Sequence, residues 1–143
     1  GKTRSVVTVP GTVSCKPQPP QTGWWYNAAE GGRGFSIEQR GNSLFMAAFH
    51  YDASGRATWN FAGGATSLDG SLFTSDFLGA SGGQTLTGPY RLPGLNSVGP
   101  ITLAFSDASH GTMFWPAGAV AIATAIPTAC TRAAAGFPKR IVI

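Results

Sequence analysis

Charge is scarce in this chain, and the side chains that bind metals or carry redox chemistry are scarcer. Asp, Glu, Lys and Arg together make up 11% of the 143 residues, against roughly 25% in typical soluble domains. The ten Lys and Arg are scattered, densest near the ends (Lys2, Arg4, Lys139, Arg140), so the net charge of +4 forms no basic stripe of the kind that tracks a nucleic-acid backbone. No partner of that class is expected. No apolar run approaches the ~18 residues that a membrane-spanning helix requires, so no transmembrane segment is expected. Only two histidines and two cysteines occur, without metal-ligand spacing. A metal site needs three or four converging ligands, so neither a metal nor another cofactor is expected.

What is present is apolar side chain and glycine. Hydrophobic residues make up 43% of the sequence, enough to offset the conformational entropy lost on folding, and Gly contributes 20 positions. The length suits one domain, since domains usually hold about 100 to 200 residues. Low charge with abundant Gly, Ser and Thr fits an extracellular β protein. The polar, extended opening from Gly1 fits a processed secreted chain. Cys15 and Cys130 bracket the body of the sequence, and a disulfide between them is expected, implying export to an oxidising compartment. Two buried thiols are the alternative.

Residues 1–22 read as an extended N-terminal arm. Ser5-Val6-Val7-Thr8-Val9 alternates like a strand, and Pro10, Pro17, Pro19 and Pro20 follow. From Gly23 to Cys130, short β-like runs are separated by turn residues every 8 to 13 positions, the pattern of a sandwich or barrel. Strands are expected at 24–27, 34–40, 43–51, 57–62, 71–78, 101–106, 112–115 and 119–126. Gly and Asx at Gly41-Asn42, Asp52 to Gly55, Asp69-Gly70 and Gly118 supply hairpin turns between them. The expectation is therefore an all-β fold: an antiparallel up-and-down meander of about eight strands forming a small barrel, followed by a tail over 131–143. Phe35, Ile37, Leu103, Phe105, Val120 and Ile122 are its expected core. The run Leu44 to Phe49 is apolar on both faces, so its outer face needs a cover or a partner. Ser81 to Pro100 reads as a long loop with at most one weak strand, and as a candidate for function.

Two stretches carry a resemblance. Gly23-Trp24-Trp25-Tyr26-Asn27-Ala28-Ala29-Glu30-Gly31-Gly32-Arg33-Gly34-Phe35 and Tyr51-Asp52-Ala53-Ser54-Gly55-Arg56-Ala57-Thr58-Trp59 resemble a family of bacterial secreted β domains. Those domains open on a Gly-Trp-Trp-x-Asn-Pro-x-Glu-x-Gly block and continue through a Tyr-Asp-x-x-Gly-x-x-x-Trp hairpin. About 40 residues match well, and Gly111 to Pro116 weakly; Ala28 replaces the proline. The resemblance implies bacterial origin and export, without an activity. Trp25-Tyr26-Asn27 is also similar to the first strand of avidin-like barrels, which implies that Asn27 points into a barrel mouth. Gly31 stands where that family has a hydroxyl.

Candidate chemistry is thin. Gly79-Ala80-Ser81-Gly82-Gly83 fits the nucleophile pattern G-x-S-x-G, but no helical pattern follows it, and a nucleophile elbow needs one. His50 and His110 with Asp52 or Asp107 are read as strand and turn residues. Glu30, Glu38, Asp52 and Asp76 are the acids from which a glycosidase pair could be drawn, and Glu30 is expected to pair with Arg33 instead. The aromatics say more. Trp24 and Trp25 are adjacent in a strand and point to opposite sides, so at most one is core. Trp24, Trp25, Tyr26, Asn27, Trp59, Tyr90 and Trp115 form the candidate ligand or partner surface. A non-catalytic, secreted or cell-surface binding module is the leading expectation, with a protein, a carbohydrate or another small ligand as partner. The alternatives are a subunit of an extracellular filament, assembled by strand donation from Val6, Val7 and Val9 or from Ile141 and Ile143, and a small secreted hydrolase.

Overall fold

The computed structural model describes residues 13–124 and 130–131. The expected arm strand with Val6, Val7 and Val9, and the tail with Ile141 and Ile143, lie outside these residues.

Eight strands close an antiparallel barrel in sequence order. They are β2 (Gly23–Tyr26), β3 (Gly34–Arg40), β4 (Ser43–Tyr51), β5 (Ala57–Ala65), β6 (Leu72–Ser81), β7 (Gly94–Asp107), β8 (His110–Trp115) and β9 (Gly118–Thr124). Closure is made by β2 on β9, where Trp25 faces Thr124 and Tyr26 faces Ala123. Outside the barrel, β1 (Val13–Ser14) runs parallel to β10 (Cys130–Thr131), with Val13 opposite Cys130.

Alternation decides which side chains go inside, because successive residues of a strand point to opposite faces. Phe35 and Ile37 enter from β3, Leu44, Met46 and Ala48 from β4, Leu103 and Phe105 from β7, and Val120 and Ile122 from β9, all buried. The six expected core residues are among them. An eight-stranded barrel has an interior just wide enough for side chains to fill or for one small ligand. Both conditions occur here, at different depths.

Three strands run further than their sequence patterns indicate. β5 continues to Ala65, β6 to Ser81, and β7 begins at Gly94, so only residues 82–93 remain of the expected long loop. A ladder needs backbone amides, not side chains, and Gly79 and Gly94 supply those as well as any residue. The segment 94–100 hides its phase because the β6–β7 register shifts between Asp76 and Leu78, pairing Asp76 with Pro100 but Leu78 with Ser97. Such an irregularity is where a sheet tolerates proline.

One end of the barrel is covered by the residues leading into β2. Pro20 is buried, and Pro19 sits on the turn before β6 so closely that a Cβ on Gly70 would approach its Cγ to 2.5 Å. Gly70 also has φ of +73°, so the site demands glycine twice over. The Gln21 amide donates to Ala108 O at 2.8 Å, and the Trp25 indole N–H donates to Gln21 O at 2.9 Å.

At the same end, Asp107 accepts the Ser109 amide at 2.7 Å and faces His110 Nδ1 at 3.0 Å. Burial alone pushes its carboxyl up, but the Ser109 N–H and the His110 ring outweigh it and hold the group below its ordinary value. Asp69, at the neighbouring turn, is held at about 2 by the Ser71 amide and the Ser67 and Ser71 hydroxyls. A carboxyl depressed by folding contributes stability that is complete above its unfolded pKa and is lost as pH falls through the folded one. The melting temperature should therefore fall on acidification below about pH 4. In Asp107→Asn the fall should be shallower and start from a lower plateau. An unchanged acid limb in the variant would remove Asp107 from the account.

Candidate functional site

Among the described residues, nothing covers the other end of the barrel. Loops 27–33, 52–56, 82–93 and 116–117 surround it. Within the rim lies a cavity of about 570 Å³, a size common for small-molecule sites. Phe35, Ala48, Phe77 and Met113 form its apolar depth, and Trp59, Trp115 and Pro116 its rim.

Polar groups enter where the inward rows of β4 and β5 reach the mouth. The row Leu44, Met46, Ala48 ends on His50, and the row Ala62, Asn60 ends on Thr58. His50 Nε2 lies 2.6 Å from Asn60 Oδ1, and Asn60 Nδ2 donates to Leu78 O at 3.2 Å. These bonds fix the buried Asn60 amide and orient the imidazole, which stacks on Phe77 with centroids 6.5 Å apart. Gly79 leaves room beside them: a Cβ there would stand 3.0 Å from Asn96 Oδ1 and 3.4 Å from Asn60 Nδ2. Arg33 completes the wall. Its guanidinium is held by Glu30 and lies over the Trp115 ring, 6.0 Å from the centroid, while its buried Nε–H has no partner among the described residues.

Asp52, which also lines the cavity, is likewise paired. Asp52 caps its hairpin through Ser54 and Arg56, and the Ser54 hydroxyl and Arg56 amide lead in lowering its carboxyl below the ordinary value. Glu38 pairs with Arg40 on the outer wall. The cavity lining is thus hydrogen-bonding and aromatic, and its two charged residues, Arg33 and Asp52, are paired with Glu30 and Arg56. Ser81 ends β6 at a glycine turn, and no helix follows it among the described residues.

A second concavity, about 500 Å³, lies on the outer wall and shares Arg33, His50 and Thr58 with the mouth. Its walls are Trp24, Tyr26, Phe49 and Tyr51, and Gly31 and Gly32 contribute bare backbone. Trp24 lies across Gly34 so closely that a Cβ there would meet the indole at 2.0 Å. Its ring also packs against Phe49, 5.9 Å between centroids. Gly34→Ala should therefore unseat Trp24 and shift its emission to the red, while the core stays folded. An emission spectrum identical to the parent's would contradict this seating. The aromatic band continues along the outer face through Trp59, Phe61 and Phe45. This is the outer face of Leu44 to Phe49 that the sequence left in need of a cover.

The residues expected at a ligand surface divide. Trp24 and Tyr26 line the outer groove, Trp115 the mouth, and Trp59 the edge between mouth and outer band. Trp25 does not belong with them: it is 0% exposed and meets Phe105 edge-on, because its strand phase points it inward. Asn27 lines neither concavity, and its Oδ1 accepts the Ala29 amide in the turn after β2. Tyr90 stands exposed in loop 82–93, away from both. His50, Asn60, Arg33 and Asn96 were absent from the expected set. The signal for the first two was a polar residue closing an inward apolar row.

Fold and site together define a small, closed, eight-stranded antiparallel β-barrel with one covered end and one open mouth. No protein-family model, curated protein or solved structure matches the chain.

Proposed function

We propose that this protein is a non-catalytic binding module that takes a small ligand into the open mouth of the barrel. One observation carries the reading: the inward rows are apolar until they reach the mouth, where they give way to oriented hydrogen-bonding groups around a cavity. Apolar walls with a few fixed polar groups are the general form of a ligand site. A role outside the bacterial cell, secreted or on the surface, agrees with the low charge and with the resemblance of the Gly23 to Phe35 block. It also agrees with a Cys15–Cys130 disulfide, supported by the pairing of Val13 with Cys130 two residues away and by the absence of free cysteine among the described residues. The alternative of assembly by strand donation rests on residues outside the described ones.

The test uses the dye 8-anilinonaphthalene-1-sulfonate, which fluoresces in apolar cavities. Saturable binding with one-to-one stoichiometry is expected, and Ala117→Trp, which hangs an indole over the mouth from an exposed turn, should abolish it without lowering the melting temperature. Equal binding by the variant would reject the mouth as the site.

A further inference from the structure

We infer that the ligand is a neutral oligosaccharide that leaves the mouth over the Arg33, His50 and Thr58 rim and continues along the outer groove. This rests on the mouth being the binding site. The two concavities share those three residues as a common wall, so one elongated molecule can occupy both. Each offers aromatic rings: Trp115 inside, and Trp24, Phe49 and Tyr51 outside.

The chemistry of the wall selects the class. An aromatic face is electron-rich, and the axial C–H bonds of a pyranose present it with a flat, weakly positive surface. Hydroxyls both donate and accept, and the wall supplies both kinds of partner in the second N–H of the Asn60 amide, the Asn96 amide and the Thr58 hydroxyl. Charge complementarity argues for a neutral chain. Of the charged residues that line the two concavities, Arg33 is matched by Glu30 and Asp52 by Arg56. A paired Arg33 still offers its buried Nε–H, a donor without a partner among the described residues, in the wall between the two concavities. Gly31 and Gly32, where a Cβ would meet nothing within 4 Å, leave backbone bare in the outer groove, so a sugar ring can lie against it beside Trp24.

The experiment is calorimetric titration of the full chain with cellohexaose, chitohexaose, xylohexaose and mannohexaose, each beside its own disaccharide. At least one hexasaccharide should bind ten times or more tighter than its disaccharide, about 1.4 kcal/mol of added contact. Trp24→Ala and, independently, Tyr51→Ala should bring the hexasaccharide to the affinity of the disaccharide and leave the disaccharide unchanged. Arg33→Lys, which keeps the charge against Glu30 but removes the Nε–H, should weaken hexasaccharide binding about tenfold. The inference is overturned if no hexasaccharide outbinds its disaccharide, if both groove variants keep the length dependence, or if hexapeptides bind where no sugar does. Dye binding in the mouth separates the two readings: dye without sugar leaves the mouth standing and removes the oligosaccharide, and neither removes both.

Discussion

Truncation of Phe105 to alanine is expected to cost about 3 to 5 kcal/mol of unfolding free energy. Phe105 is 3% exposed, its ring meets Trp25 edge-on at 5.3 Å, and it lies where a Cβ on Gly111 would come within 2.8 Å of its Cδ1. Gly111 is thus the shallow site into which Phe105 fits, and strands tied on both sides by ladders cannot collapse into the space an alanine would leave. Against a total stability of about 5 to 15 kcal/mol the loss is severe. Urea unfolding followed by tryptophan emission measures it. A loss below about 1 kcal/mol would place the ring outside the core and shift the phase of β7 by one residue.

Removing the proposed bridge with Cys15→Ala should have an effect of similar size. A closed loop of this length contributes about 4 to 5 kcal/mol in the chain-entropy model of cross-links, through restriction of the unfolded chain. Intact protein should be two hydrogens lighter in mass under non-reducing conditions than after reduction, and reductant should lower the melting temperature of the parent but not of the variant. Two titratable thiols in native protein would remove the bridge and weaken the case for export.

The barrel was legible because its determinants are local. Inward and outward residues alternate cleanly in β3 and through Ile101, Leu103 and Phe105, and glycine or Asx stands at the hairpins that join the strands. The extension of β7 was not, because Gly94, Gly99 and Pro100 carry little strand propensity and the register shift breaks their alternation. The site was legible only in part. Aromatic residues mark themselves in a sequence, hence Trp24, Tyr26, Trp59 and Trp115. Which one faces inward depends on strand phase, and that is how Trp25 came to be grouped with a surface although it fills the core. His50 and Asn60 gain their character from one another across β4 and β5, and Arg33 from Trp115 at the far end of β8, through contacts no single segment contains.

The most direct test of the account is the location of a bound probe. With isotope-labelled protein and the same dye, nuclear magnetic resonance titration should move the amide signals of Asn60, Gly79, Asn96 and Met113, at the mouth, and leave those of Phe45 and Phe61 on the outer band in place. Shifts confined to Phe45, Phe61 and their neighbours, with the mouth unmoved, would contradict it.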